Sequence, residues 1–183
     1  MIQLKFFGTG GQGVVTAAKV LSHAVSLCED KYAITVPSYG AERRGAPVYT
    51  SIIIDNNPVL MNCFVYEPDI VLAMDDTLID KGIDVSQGKK TNSILVLNSG
   101  DPEKIESYKK LGFAKMYHVD GTQIALKHIG RGIPNGSMLG ALVCTGIVKI
   151  ESVESAIMDN FGSKAGKLNV EAAKEACENV KQA

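Results

Sequence analysis

Residues 2–28 read IQLKFFGTGGQGVVTAAKVLSHAVSLC, and this stretch decides the fold. Ile2 to Phe7 is an apolar run of the kind that forms a buried strand. Val14 to Cys28 places Val15, Ala18, Leu21, Val25 and Cys28 at three- and four-residue spacing, which predicts an amphipathic helix. Gly8, Gly10, Gly11 and Gly13 stand between them, and three of these satisfy Gly-x-Gly-x-x-Gly in its meaningful context, after a strand and before a helix. Glycine lets the backbone turn tightly and approach a ligand, while the helix amides and dipole attract an anion. A dinucleotide site also needs an acidic residue about 20 positions onward, at the end of the second strand. Tyr32 to Val36 is that second strand, but it runs into Pro37-Ser38-Tyr39, and Asp30 precedes it. A nicotinamide or flavin dinucleotide is thereby disfavoured, and another anion or close packing of the turn alone is the better reading.

Outward from this start, Ser38 to Pro47 is a polar loop containing Glu42, Arg43 and Arg44. In a doubly wound sheet it should emerge on the edge occupied by the glycine turn. Arg43 and Arg44 are then candidates to recognise a phosphate or carboxylate, with an Arg–Glu network holding a loop or subunit contact as the alternative. Val48 to Ile54 and Val59 to Val65 flank Asp55-Asn56-Asn57-Pro58, which predicts a β-hairpin. Asp69 to Met74, Ser93 to Leu97 and Met116 to Val119 are further short strands, each with a potential helix nearby. Alternating strands and helices imply a largely parallel sheet. Ser137 to Lys149, Ser152 to Phe161 and Val170 to Lys181 have helical spacing, the last with Asn169 as its N-cap. The expected fold is α/β and Rossmann-like, a largely parallel sheet with a β-hairpin insertion and a helical C-terminal third, in a single domain over residues 1–183.

Composition narrows the function. A chain of 183 residues with 45% hydrophobic and 21% charged residues has the makeup of a globular domain large enough to fold without staples. A net charge of −1, with both signs interspersed, provides no basic face for nucleic acid. No apolar run approaches the roughly 20 residues that span a bilayer, and the N-terminus lacks a signal-peptide order, so a cytoplasmic protein is expected. Cys28, Cys63, Cys144 and Cys177 are widely spaced and are expected as buried thiols in a reducing compartment. His23, His118 and His128 are scattered, and no Gly-x-Ser-x-Gly occurs. Asp75-Asp76 suits a cation or a helix N-terminus equally. No catalytic set and no metal site emerges.

Four stretches together, Gly8-Thr-Gly-Gly-Gln-Gly-Val-Val-Thr-Ala-Ala18, Ser38-Tyr-Gly-Ala-Glu-Arg-Arg-Gly-Ala-Pro-Val48, Pro68-Asp-Ile-Val71 and Asn135-Gly-Ser-Met-Leu-Gly-Ala141, resemble the gamma subunit of 2-oxoacid:ferredoxin (flavodoxin) oxidoreductases. The likeness is stronger to the pyruvate and branched-chain members than to the indolepyruvate ones. The resemblance implies a multi-subunit enzyme that converts a 2-oxoacid, coenzyme A and oxidised ferredoxin to acyl-CoA, carbon dioxide and reduced ferredoxin. It implies alpha, beta and ferredoxin-like delta partners, with thiamine diphosphate, Mg²⁺ and [4Fe-4S] clusters on those subunits and none bound by this chain alone. The sequence agrees, lacking a Gly-Asp-Gly thiamine diphosphate motif and a four-cysteine run. The isolated chain should be inactive. Gly8, Gly10, Gly11, Gly13, Arg43 and Arg44 become candidate contacts for coenzyme A. A partner-binding patch is expected on the strand C-terminal edge and on residues 48–65, through which the isolated chain would self-associate. The alternatives are a stand-alone Rossmann-type dinucleotide-binding oxidoreductase, a nucleotide-binding regulatory module, and, within the family, the indolepyruvate or 2-oxoglutarate branch.

Overall fold

A computed structural model describes residues 1–38 and 46–183. Its strands are β1 (Ile2–Thr9), β2 (Tyr32–Ser38), β3 (Pro47–Asp55), β4 (Ile70–Ala73), β5 (Ile94–Asn98), β6 (Lys115–Val119) and β7 (Lys181–Gln182). Its helices are α1 (Val14–Cys28), α2 (Pro102–Lys109), α3 (Gly121–Ile129), α4 (Asn135–Leu142) and α5 (Ile150–Asn179). Among the described residues all the strands join one sheet in the order β2-β3-β1-β4-β5-β6-β7. β1, β4, β5 and β6 run parallel in its centre, while β3 lies antiparallel to both β1 and β2, and β7 antiparallel to β6.

The two faces of the sheet are covered unequally. Leu4 and Phe6 of β1, with Ile52, Ile54, Leu72 and Val96, pack beneath α1, α3, α4 and α5. Phe7, Val71, Ala73, Leu95 and Leu97 point to the opposite face, where Tyr108 of α2 and Leu78 and Val85 of the turn-rich β4–β5 connection cover them. β4 is buried at every position, as a central parallel strand with both faces covered should be.

Residues 48–54 form a strand as expected, but the hairpin is a different one. β3 pairs with β2 from Tyr32↔Asp55 to Ser38↔Tyr49, and with β1 from Ile2↔Ile54 to Thr9↔Pro47. Both edges of β3 are thereby filled, so Val59 to Val65 cannot pair with it as the expected hairpin requires, and takes no regular structure. The C-terminal helices also differ from expectation. α5 continues through the expected boundary at Asn169, broken only at Gly162, whose φ of 72° and ψ of 179° leave the helix for one residue. Asn169 is buried inside it, its side-chain amide donating to the Ala165 carbonyl one turn back, so it is not an N-cap. After α4, a short 3-10 turn over Val143–Thr145 ends the helix expected to reach Lys149. The chain leaves α5 at Val180 and pairs Lys181 with His118, where sequence spacing had carried the helix onward. Cys28 and Cys63 are exposed and Cys144 and Cys177 half-buried, correcting the expectation of four buried thiols. Cys28 falls on the solvent side of α1, just beyond the last turn whose apolar side chains reach the sheet.

Candidate functional site at the glycine turn

The glycine turn lies at the C-terminal edge of the parallel strands, and each of its residues has a separate task. Gly8 is still in β1, opposite Val48; a Cβ there would lie 2.6 Å from Val14 Cγ2 and 2.8 Å from Gln12 Oε1. Its lack of a side chain brings α1 close onto the strand. The Gly10 amide donates to the Ala46 carbonyl at 2.9 Å and ties the turn to the start of β3. Gln12 closes the turn on itself, its amide donating to the Thr9 carbonyl at 3.1 Å while its Oε1 accepts the Thr9 amide at 2.8 Å. Gly11 and Gly13 have φ of 103° and 77°, a region costly for residues with a Cβ. Among the described residues the amides of Gly11 and Gly13 find no acceptor, and Gly13 is the N-cap of α1. Of the four candidate glycines, then, two shape the turn and two present backbone donors at a helix N-terminus.

Two further elements complete the site. The N-terminus of α4 meets that of α1, because Asn135 packs against Gly13 so closely that a Cβ there would lie 2.6 Å from Asn135 Nδ2. Asn135 is itself buried and accepts the Gly136 amide through Oδ1 at 2.8 Å. On the other flank, Thr9 Oγ1 donates to Asp75 Oδ2 at 3.0 Å. Asp75 also accepts from the Thr77 amide and hydroxyl, at 2.9 and 2.6 Å, and from Lys81 Nζ at 3.0 Å. Burial pushes its carboxyl upward, but the bonds from Thr77, Lys81 and Thr9 outweigh this and hold it below the usual carboxylate range. With donors and a lysine already around it, Asp75 is a fixed part of the turn's foundation. Asp76 accepts the Ser99 hydroxyl at 2.6 Å, so the paired acids are spent on neighbours and not on a cation. Among the described residues no group of three or more His, Cys, Asp and Glu could hold a metal.

The chain next to β1 on this side is antiparallel β3, whose C-terminal Asp55 sits at the opposite edge and pairs with the N-terminal ammonium at 2.7 Å. Among the described residues, no strand both adjacent and parallel to β1 on this side brings an acid to the turn, as the ribose clamp of a dinucleotide site would require. Arg43 and Arg44 lie outside the described residues. The segment that contains them is flanked by Ser38 and Ala46, and Ala46 is the residue bonded to Gly10.

The stretches quoted above separate in space. Residues 8–18 and 135–141 meet at Gly13, although more than a hundred positions apart in the chain. Pro68 to Val71 is at the far edge, where Asp69 accepts the Gln3 amide at 2.8 Å and Lys90 Nζ at 2.6 Å, and where the Pro68 carbonyl accepts the Ser93 hydroxyl at 2.6 Å. Its task is to join the beginnings of β1, β4 and β5. Asn135 was not singled out as a site residue from sequence, although the Asn-Gly-Ser-Met stretch carried its signal; Asp75 suited a cation or a helix N-terminus in the sequence, and its bonds to Thr9, Thr77 and Lys81 make it the anchor of the turn instead. The histidines stay remote, His128 with Glu175 at 2.6 Å and His23 with Asp159 at 3.3 Å.

Residues 3–179 match the pyruvate ferredoxin/flavodoxin oxidoreductase family. The chain is 46% identical to the pyruvate/ketoisovalerate oxidoreductases common subunit gamma of Thermococcus litoralis, over 98% of this chain and 97% of that one. It is 42% identical to the pyruvate synthase subunit PorC of Methanothermobacter thermautotrophicus, over 100% and 97% of the two. A crystal structure of the pyruvate oxidoreductase subunit PORC of Thermotoga maritima superimposes with a TM-score of 0.84 at 36% identity, covering 100% of this chain and 98% of that one.

Proposed function

The chain belongs to the pyruvate ferredoxin/flavodoxin oxidoreductase family as a gamma subunit, and from that premise we propose that it works in a pyruvate-type complex with alpha, beta and ferredoxin-like delta subunits. The reaction is coenzyme A-dependent oxidative decarboxylation of a 2-oxoacid to acyl-CoA and carbon dioxide, with the electrons passed to ferredoxin. Residues 1–183 act as one gamma-type domain, in the cytoplasm. No helix among the described residues is long and apolar enough to cross a membrane. Thiamine diphosphate, Mg²⁺ and the [4Fe-4S] clusters belong on the companion subunits in this reading, and the chain alone is inactive. The observation that carries the reading is the match to gamma subunits along nearly the whole of both chains, with the two most separated motif stretches meeting at Gly13.

Within the complex the glycine turn receives the anionic part of coenzyme A. Gly11 and Gly13 offer amides at the head of α1, and the α4 N-terminus adds its dipole from the other side. Arg43 and Arg44 supply guanidinium groups for charge-assisted bonds to phosphate. Gly8 and Gly10 keep the turn in shape. The test is a reconstituted complex assayed with pyruvate, coenzyme A, thiamine diphosphate, Mg²⁺ and a viologen dye, beside the chain alone. Turnover by the chain alone comparable to that of the complex overturns the subunit reading. Arg43→Ala and Arg44→Ala should each raise the Michaelis constant for coenzyme A about ten- to a hundredfold with assembly unchanged. An unchanged constant removes the arginines from the ligand site.

A further inference from the structure

Residues 59–66 carry the side chains of a strand without a strand's partner. Leu60 is 91% exposed and Tyr66 73%, with Met61 and Phe64 also exposed. Among the described residues, positions 59–64 make no backbone hydrogen bond; the one tie nearby is the Val65 amide to Ser51 Oγ at 2.9 Å. The cause is topological, because β1 and β2 occupy both edges of β3 and leave the next strand-prone run no place beside the strand it follows. Such a run, apolar and with unsatisfied amides, is poorly suited to water and well suited to a strand from another chain.

The adjoining sheet face adds a charge. Lys5 is 9% exposed, with Nζ 5.1 Å from the ring centroids of both Phe7 and Tyr49; Tyr49 in turn packs edge-on against Phe64 at 6.0 Å. No carboxylate among the described residues forms an ion pair with it. Burial pushes its pKa down, Tyr49 acting in the other direction. A surface that covers Lys5 further must bring an anion, since a buried unpaired ammonium is costly.

We propose that residues 59–66, with Phe64, Tyr49 and Lys5, form the docking surface for a companion subunit of the oxidoreductase complex that contributes an extended apolar segment bearing a carboxylate. The segment adds to the 59–65 backbone as a strand, its apolar side chains cover Leu60, Met61, Phe64 and Tyr66, and its carboxylate meets Lys5. This rests on the gamma-subunit reading of the chain. The experiment compares amide hydrogen exchange of the free chain and the reconstituted complex, together with the association of Leu60→Asp and Lys5→Met. Exchange at 59–65 should slow at least a hundredfold on assembly, and both variants should associate at least tenfold more weakly. Leu60 lies in solvent in the free chain, so Leu60→Asp leaves folding intact, which circular dichroism verifies. Assembly with residues 59–65 exchanging as in the free chain overturns the docking surface and leaves the subunit role standing. Failure of the wild-type chain to join any companion subunit overturns the subunit role itself. Self-association of the free chain that protects 59–65 and is abolished by Leu60→Asp, with complex assembly unaffected, assigns the surface to a second copy and overturns the proposal. Normal association of Lys5→Met overturns the carboxylate.

Discussion

The glycine turn and the run at 56–66 follow two strands that pair with each other, β1 and β3, and leave the sheet at opposite edges. The first is closed almost entirely from within. Gln12 caps Thr9, Asp75 anchors Thr9, and Asn135 packs on Gly13, so that among the described residues the Gly11 and Gly13 amides alone in the turn find no acceptor. The second has strand-like side chains but, among the described residues, no backbone partner at 59–64. The difference is one of supply: the turn's partners come from the turn itself, α4 and the end of β4, whereas β3, the strand that 59–65 would pair with, already has β1 and β2 on its two edges. Local pattern sets what a segment is able to form, and the availability of an edge sets whether it does.

This contrast makes Gly13 the position of largest expected effect. Gly13→Ala would impose a left-handed φ on a residue with a Cβ and drive that carbon into Asn135, a cost of about 3 kcal/mol combining backbone strain and overpacking. Gly11→Ala has the strain without the collision, since nothing lies within 4 Å, and should cost about 1 kcal/mol. Urea denaturation of both checks this, and equal losses would mean that the contact between α1 and α4 does not hold the turn.

Asp75→Asn comes next, at about 2 kcal/mol near neutral pH, because it weakens charge-assisted bonds to Thr77, Lys81 and Thr9. The folded carboxyl is held below its ordinary pKa, so the unfolded chain takes up its proton first as pH falls. The stabilisation is therefore complete above the unfolded value of about 3.9 and is lost as pH falls through the lower folded value. Denaturation midpoints of wild type and Asp75→Asn should converge on acidification and run parallel above about pH 5; a gap that persists below about pH 2 would show that Asp75 acts by packing alone.

The smallest expected change in stability is at Leu60. In the free chain Leu60→Asp should stay within about 0.5 kcal/mol of wild type, since the side chain is 91% exposed. A larger loss, measured by the same denaturation, would mean that the 59–66 run is packed in the free chain and erase the contrast with the glycine turn.

Much of this was legible in the chain. The run from Ile2 to Cys28 specified strand, glycine turn and helix, since a strand's continuous apolar run and a helix's three-to-four spacing are local properties. The resemblance of four short stretches pointed to the gamma subunit, and the full-length relatives agree. Asp75 suited a cation or a helix N-terminus in the sequence because its distant partner Thr9 is brought to it only by the pairing of β1 with β4, which no local pattern announces. Asn169 was misread for a related reason: an asparagine before an apolar run caps helices in general, and only the seat opposite Gly136, where a Cβ would come within 2.6 Å of Asn169 Oδ1, reveals that it belongs inside one. The residues of Val59 to Val65 are as suited to a strand as those of β3, and their side chains say nothing about who else has claimed the edge. Propensity, periodicity and the glycine pattern are written residue by residue; strand order, and with it which amides are left without partners, follows from long-range competition for hydrogen bonds and exists only once the chain has closed on itself.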